Sequence, residues 1–558
     1  MQERITKKTR MFLTMGLLTL ALINAFWMLS VKSLDSHECF VSVTAREMVQ
    51  DGHWIVPTLN GHIRLNKTPL PYWLVAGFAK ITGKVDEFTA RFPSAVFAVM
   101  SAVVILFFVN KWLDFRTAVV STAVWITSHC YIRSSHSARP DMGLVFFVLV
   151  CFLSFYSVLI AENRKQQIIY SVIFWISFAL GNLAKGPAPV AFVLIPIFVY
   201  MAANKAWKVL PKMLPIAGIV IFFIIVLPWP LYIAHKLNWD LMLWKREYID
   251  RLYGEYAPGD YPIYYYFGII FKFITPWVIF LPIALIAPFN KKFNGRRGVI
   301  KFLWILFVAG FAFLTIDVGK RQHYIMPFMP LLSILIGIVL EDMVFRQTAY
   351  PFKFAKDILK IHCIVIIIGI ISASIYMAIA KPVLLGRVLL LSAFTITVIW
   401  IVILLFYKKR SGAGMTSVFI GIVVWTMMVV SEFGFIRDVD RGARDFACKV
   451  AQIVPATDNL VCYGHVSSRF VQYFGKVVPE EQDKSKLLIL YEQGNWIIAT
   501  SDYLGDLTED NRFRKIYFRQ RQVNQKEDTG GILFHKSAPT DQVDAITDFN
   551  RFTSGKSG

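Results

Sequence analysis

Ionisable residues gather at a few places in this 558-residue chain, and their types suit two complementary tasks. The first cluster is Asp35-Ser-His37-Glu38. Two carboxylates beside an imidazole can bind a polar acceptor and activate it by taking its proton. The same spacing also describes a helix cap, in which Asp35 accepts from first-turn amides and Glu38, three residues on, reaches back to the N–H of the cap residue. The two readings are compatible. The other clusters are basic: Arg64-Leu-Asn-Lys67-Thr-Pro, Arg133 and Arg139 with Asp141, Lys185 in Ala-Lys-Gly-Pro, Lys245-Arg246, and Lys320-Arg321 followed by His323 and Tyr324. Singly, each is an ordinary solvated or snorkelling side chain. Held at one depth, they form a positive rim for a phosphate, arginine offering a bidentate fork and lysine a point charge. Asp141 follows Pro140 at the mouth of an apolar run and is costly to bury unless a cation pairs with it. Arg139 and Arg133 are the partners expected from sequence.

The elements that must position these groups are membrane helices. Hydrophobic residues make up 56% of the chain and charged ones 17%, with a mean hydropathy of +0.53, which excludes an ordinary soluble enzyme. The 47 Phe, 22 Tyr and 15 Trp exclude disorder. About thirteen stretches approach the ~20 residues that a bilayer core requires: 11–31, 94–109, 117–131, 142–160, 168–182, 188–202, 214–233, 266–288, 299–316, 324–340, 361–380, 388–406 and 415–436. With the N-terminus inside, the inner segments hold 23 basic residues against six acidic ones. That imbalance accounts for most of the formal charge of +22, so no nucleic-acid partner is called for. An odd number of spans then places the tail outside. The first span is too long for the apolar core of a cleavable signal and lacks a small-residue cleavage site, so it is expected to remain as an anchor. Six scattered cysteines show no metal-ligand spacing. Cys448 and Cys462 share the outer tail, where a disulfide is permitted.

Between the first two spans lies a long outer loop, residues 32–93, whose segments 40–50 and 70–81 read as short helices lying in the membrane interface. The tail, residues 440–558, has another character. From Arg441 it holds 16 basic and 15 acidic residues, and its long apolar runs give way to short alternating ones. Strands are predicted at 459–463, 496–500 and 531–535 and helices at 446–454 and 468–474, a small α/β layer structure. No phosphate-binding glycine motif occurs in it, which assigns it to a lid or scaffold. The expected fold is a polytopic α-helical membrane protein of about 13 transmembrane helices, residues 1–439, with interfacial helices in the first outer loop and a small outer α/β domain, residues 440–558.

Basic groups at outer helix ends suit a lipid-linked substrate whose phosphate lies at the interface, while nearby carboxylates address a polar acceptor. A polyprenyl-phosphate sugar has this form: the chain stays in the bilayer, and the phosphate is a leaving group whose developing negative charge the cations would stabilise.

Several motifs, in order, also resemble a known family. Glu38 followed by Arg46-Glu-Met48, Gly52-His-Trp-Ile-Val-Pro57, Leu65-Asn-Lys67-Thr-Pro-Leu-Pro-Tyr72-Trp73, Ala138-Arg139-Pro-Asp141-Met142, Leu183-Ala-Lys185-Gly-Pro187, Pro228-Trp229, Pro276-Trp277 and Gly319-Lys320-Arg321-Gln-His323-Tyr324-Ile-Met-Pro327 are similar to the bacterial membrane glycosyltransferases typified by 4-amino-4-deoxy-L-arabinose lipid A transferase. These are relatives of the protein O-mannosyltransferases and share the C-type glycosyltransferase fold. The resemblance implies an inner-membrane enzyme with a cytoplasmic N-terminus and a periplasmic tail. It would transfer a sugar from undecaprenyl phosphate, with inversion, to lipid A or another envelope glycolipid or glycan. By the same resemblance Asp35 and Glu38 are the catalytic candidates. His37, Arg46, Lys67, Tyr72, Arg139, Asp141, Lys185, Lys320, Arg321, His323 and Tyr324 are candidates for binding donor and acceptor. Two departures stand out: His37 occupies the place of the aspartate that usually precedes the glutamate, and Asn66 stands where an acidic residue commonly precedes the lysine. The second weakens the case for the same acceptor and for a bound divalent ion; no cofactor is expected to be required, with a divalent cation as the alternative. Alternatives are a protein O-glycosyltransferase and a lipid or solute transporter or flippase. The transporter reading has little support, since the chain shows no clear internal repeat.

Overall fold

The computed structural model describes residues 6–238, 261–317, 319–380 and 441–500, with short stretches and isolated positions elsewhere up to 536. The expected span 415–436, nearly all of 388–406, and the pair Lys245-Arg246 lie outside the described residues. The chain forms two compact units. Unit 1 comprises Met1–Leu29, Leu65–Pro71 and Arg91–Phe433; unit 2 comprises Ser30–Arg64, Tyr72–Ala90 and Gly434–Gly558.

Among the described residues, six helices are long and apolar enough to cross a membrane: Lys7–Phe26, Glu87–Trp112, Asp141–Leu159, Arg164–Lys185, Arg297–Ile316 and Gln322–Arg346. A seventh is added if Trp207–Met213 and Pro215–Val226, which meet at 55°, make one bent span. Among the described residues this is fewer than the thirteen expected spans, two of which, 388–406 and 415–436, lie wholly or nearly so outside them. Several expected spans are shortened or broken. The stretch 117–131 ends its helix at Ile126, and Ser128 starts a new one, His129–Ser135, by accepting from the Tyr131 N–H. The stretch 214–233 divides at Pro228, and 266–288 breaks after Ile274 at Pro276 and again near Pro282. A proline lacks the N–H that a continuous helix needs and clashes with the preceding turn. Hydropathy, which sets the length of an apolar run, does not register that interruption.

The 141–159 helix is apolar all round, and its whole length apart from the final Leu159 is buried. A helix without a polar face belongs inside a bundle. At another helix end, Arg296 donates to Glu341 at 2.7 Å and to Asp114 at 2.9 Å, while Arg346 donates to the same two carboxylates at 3.2 and 2.7 Å. Burial by itself would raise the Asp114 carboxyl, but hydrogen bonds from the Thr117 amide and hydroxyl and the two guanidiniums outweigh it and hold it below the usual carboxylate range.

Unit 2 contains a five-stranded mixed sheet, in the spatial order 480–481, 460–463, 496–500, 531–534 and 515–519. Strands β3 (Leu460–Tyr463), β4 (Glu480–Glu481) and β5 (Trp496–Thr500) are parallel; β6 (Lys515–Arg519) and β7 (Gly531–Phe534) add on antiparallel. Strands β3, β5 and β7 and the helices Arg441–Ile453 and Ser468–Phe474 fall where alternation and helical periodicity place them, within a few residues. Strands β4 and β6 were not expected. No disulfide joins Cys448 to Cys462 among the described residues.

The outer loop enters this same core. Val43 and Leu59 pack with Phe446, Val450, Leu460 and Phe470. A short hairpin, β1 (Thr58–Leu59) with β2 (His62–Ile63), is pinned to the tail by Asn60, whose side-chain amide exchanges two hydrogen bonds with the backbone of Val478 at 2.8 and 2.7 Å. The helix Ser36–Asp51 is therefore not an interfacial helix. Every residue from Glu38 to Met48 is buried apart from Phe40, which is partly exposed. Val41, Ala45 and Met48 face Tyr72, Val75 and Ala76, while Val43 on another face joins the tail's core. Gly52 ends this helix at φ +75°, a left-handed position that suits glycine. The second loop helix, Leu70–Thr82, buries Tyr72, Val75, Ala76 and Ala79 and leaves Ile81 exposed.

Candidate functional site

The candidate residues form one cluster in each unit. In unit 1 the centre is an ion pair between Asp141 and Lys185. Asp141 opens the 141–159 helix and Lys185 closes the 164–185 helix. Each charge complements the dipole at its own helix end, and the two long helices pack side by side so that these ends meet. The partner of Asp141 is thus a residue 44 positions away. Arg133, one of the partners expected from sequence, donates to the Gln322 side chain at 2.9 Å.

The residue after Lys185 explains the Lys-Gly-Pro sequence. Gly186 adopts φ +67° and ψ −151°, a region open essentially to glycine alone, and Pro187 precedes the next helix, Ala188–Asn204. The Gly186 N–H donates to Thr68 Oγ at 3.2 Å, which brings the half-buried Lys67 segment beside Lys185. Lys185 Nζ also lies 5.6 Å from the centroid of the Tyr324 ring, a cation–π distance. His323 packs edge-on against Tyr324 at 4.8 Å and is within electrostatic reach of Lys185, Asp141, Arg139 and Arg321. The backbone of Arg321 is clamped by one buried phenol: Tyr266 OH accepts from its N–H at 3.3 Å and donates to its carbonyl at 3.2 Å. Tyr266, Thr68 and Gln322 were absent from the sequence candidates. Thr68 and Gln322 lie inside the motifs already singled out, whereas Tyr266 carries no local signal.

Lys320 is buried, and its ammonium donates to the Asp317 carbonyl at 2.8 Å, which braces its own loop.

The carboxylate cluster belongs to unit 2. The capping box is present in full: Asp35 Oδ1 accepts from the N–H groups of His37 and Glu38, each at 2.9 Å, and Glu38 Oε2 accepts from the Asp35 N–H at 3.0 Å. Asp35 remains partly exposed, His37 is exposed, and Glu38 is 2% exposed. The cap and a chemical role are not exclusive, since each carboxylate keeps further lone pairs. Arg46 is 7% exposed, and its Nη1 donates to the carbonyls of Val471 and Gln472, both at 2.9 Å, at the end of the 468–474 helix. Burial lowers its pKa, against the opposing influence of Glu47. Through Nη1 the side chain joins loop to tail. Tyr72 is likewise buried, its hydroxyl accepting from Arg64 Nε at 3.3 Å. Among the described residues no three His, Cys, Asp or Glu side chains converge as metal ligands would.

Residues 66–232, which include Lys67, Arg139, Asp141 and Lys185, match the family model described as dolichyl-phosphate-mannose-protein mannosyltransferase. An uncharacterized protein of Aquifex aeolicus is 28% identical over 346 residues, 60% of this chain and 73% of that protein. The undecaprenyl phosphate-alpha-4-amino-4-deoxy-L-arabinose arabinosyl transferase of Yersinia pestis is 28% identical over 301 residues, 53% of each chain, so the match spans about half of that enzyme. The crystal structure of ArnT from Cupriavidus metallidurans bound to undecaprenyl phosphate shares the fold, with a TM-score of 0.79 at 16% identity over 94% of this chain and 98% of that one. Its apo form gives 0.76. The chain is thus similar in sequence to the arabinosyl transferase and, over residues 66–232, to the mannosyltransferase family model, and it shares the fold of ArnT.

Proposed function

We propose that this protein transfers a sugar from an undecaprenyl-phosphate donor to lipid A or another envelope glycolipid or glycan at the periplasmic face of the bacterial inner membrane, inverting the anomeric centre. The observation that carries the proposal is the convergence in unit 1 of Lys185, Asp141, His323, Arg139 and Arg321, with the Lys67 segment joined to it through Thr68 and Gly186.

In the reaction, the bond between the anomeric carbon and the phosphate oxygen breaks, and the acceptor oxygen bonds to that carbon from the opposite side. The electron pair of the broken bond leaves with the polyprenyl phosphate. Lys67, Arg139 and Arg321 supply cations for the growing phosphate charge, a stabilisation that is strongest where water is excluded. Asp141 holds Lys185 at the same place. Asp35 and Glu38 address the acceptor. A phosphate acceptor is already largely ionised near neutral pH, with a second pKa of about 6, and needs only to be oriented; a hydroxyl acceptor must give up its proton to a carboxylate.

The test is mass spectrometry of envelope lipids and glycans from cells with and without the protein, repeated with Asp35→Asn and Glu38→Gln. Asparagine is as good a helix cap as aspartate, and glutamine retains an oxygen for the Asp35 N–H, so both variants preserve the fold while removing the charge. A sugar-sized mass increment that disappears with the deletion and with the substitutions supports the proposal. An increment found on polypeptide would instead favour a protein O-glycosyltransferase, and lipid movement in vesicles without a covalent product would favour a flippase.

A further inference from the structure

The capping box sets how Asp35 and Glu38 sit on their own helix, but it does not set where that first turn stands in unit 2. That position is fixed by the short helix Ser468–Phe474, more than 430 residues away in sequence. Tyr473 OH accepts from the Leu34 N–H at 2.7 Å and donates to Glu87 Oε1 at 3.0 Å; Glu87 is held in turn by Arg444 at 3.1 Å. Arg469 places two donors, Nε at 3.0 Å and Nη2 at 2.8 Å, on Ser36 Oγ, and Ser468 Oγ donates to the Ser36 carbonyl at 3.3 Å. Asp35 therefore lies between two residues, Leu34 and Ser36, that are each tethered to the same tail helix. Arg469 is a buried cation with two of its N–H groups on a neutral hydroxyl, beside a turn that carries two carboxylates.

From this geometry we infer that Arg469 is a positioning residue for the carboxylate turn, acting through Ser36, and that the tail is part of the acceptor-side machinery rather than a detached lid. The inference rests on the glycosyl-transfer reading above. Its physical basis is that a carboxylate must meet the attacking oxygen within hydrogen-bond reach, and a displacement of about 1 Å can cost on the order of 100-fold in rate.

The experiment uses the full-length protein in detergent or nanodiscs with a polyprenyl-phosphate sugar donor and an envelope glycolipid acceptor. Wild type, Ser36→Ala, Arg469→Ala, Arg469→Lys and the Ser36→Ala/Arg469→Ala double variant are compared by steady-state kinetics and by amide hydrogen exchange of residues 34–38. The expected result is a fall in kcat of about 10- to 100-fold in both alanine variants, with donor KM within about twofold of wild type. Exchange of the 34–38 amides should be faster, Arg469→Lys should restore part of kcat, and the double variant should be no worse than the worse single one. Faster exchange with unchanged kcat would overturn the inference, as would additive losses in the double variant. If Arg469→Ala fails to fold, Ser36→Ala, which removes only a hydroxyl, decides the matter by the same criteria. Wild-type protein that transfers no sugar would sink the glycosyl-transfer reading itself, an outcome distinct from active protein whose Ser36 and Arg469 variants are unimpaired.

Discussion

Asp141 and Lys185 meet as a nearly buried ion pair at the facing ends of two antiparallel helices, and the backbone that follows Lys185 can be made only with glycine. The pair has two roles. It cancels charge that would be costly to bury alone, and it holds a cation beside His323 and Tyr324.

The roles separate in a double substitution. Lys185→Ala leaves Asp141 uncompensated and should destabilise the protein by roughly 3–5 kcal/mol. Asp141→Asn with Lys185→Met should recover most of that stability, because both charges are gone, yet remain defective in transfer. Thermal unfolding alongside a transfer assay checks this, and a fully active double variant would reduce the pair to scaffolding.

Lys67→Ala should lower kcat/KM for the lipid-phosphate donor by about 100-fold, in keeping with the loss of one charged contact of 2–3 kcal/mol. Expression and unfolding temperature should stay at wild-type values, since Lys67 is only half-buried. Wild-type turnover by a folded Lys67→Ala protein would remove this residue from the site.

Gly186→Ala should cost about 1–3 kcal/mol through backbone strain at φ +67°. It should also weaken donor binding, because the same peptide places Lys185 and donates to Thr68. Calorimetry and donor titration of one preparation measure both effects together.

Asp114 gives a pH prediction. Its folded carboxyl lies below the usual range, so its contribution is fully present above the unfolded pKa of about 4 and is lost as pH falls through the folded value. Asp114→Asn should therefore be less stable than wild type at pH 7, and the gap should narrow as the pH is lowered below about 4. Unfolding curves at several pH values test the sign. Glu341, 1% exposed and paired with the same two arginines, should show a larger loss on replacement by alanine.

Local patterns in the sequence carried much of the architecture. Strands β3, β5 and β7 and the helix Ser468–Phe474 stand where residue alternation and helical spacing put them, because side-chain period and burial are properties of the chain itself. The Asp35–Glu38 cap was legible for the same reason: all its atoms lie within one turn. The order of the Lys67, Asp141, Lys185 and Lys320–Tyr324 motifs likewise carried the resemblance. Hydropathy was a weaker guide to helix ends, since an apolar run continues through Pro228 and Pro276 while the backbone hydrogen-bond ladder does not.

What the sequence determined by itself was therefore the membrane class, the local elements and the set of candidate charges. Tertiary structure decided which charges meet. It paired Asp141 with Lys185 and placed a buried phenol across the backbone of Arg321. It also tied Arg46 of the loop to the backbone of the tail, and packed the outer loop into the core of a tail that begins some 350 residues later. Such contacts join helix ends and loops far apart in the chain, and they come into being only when packing of the apolar faces brings those ends together; no periodicity within a single segment encodes them.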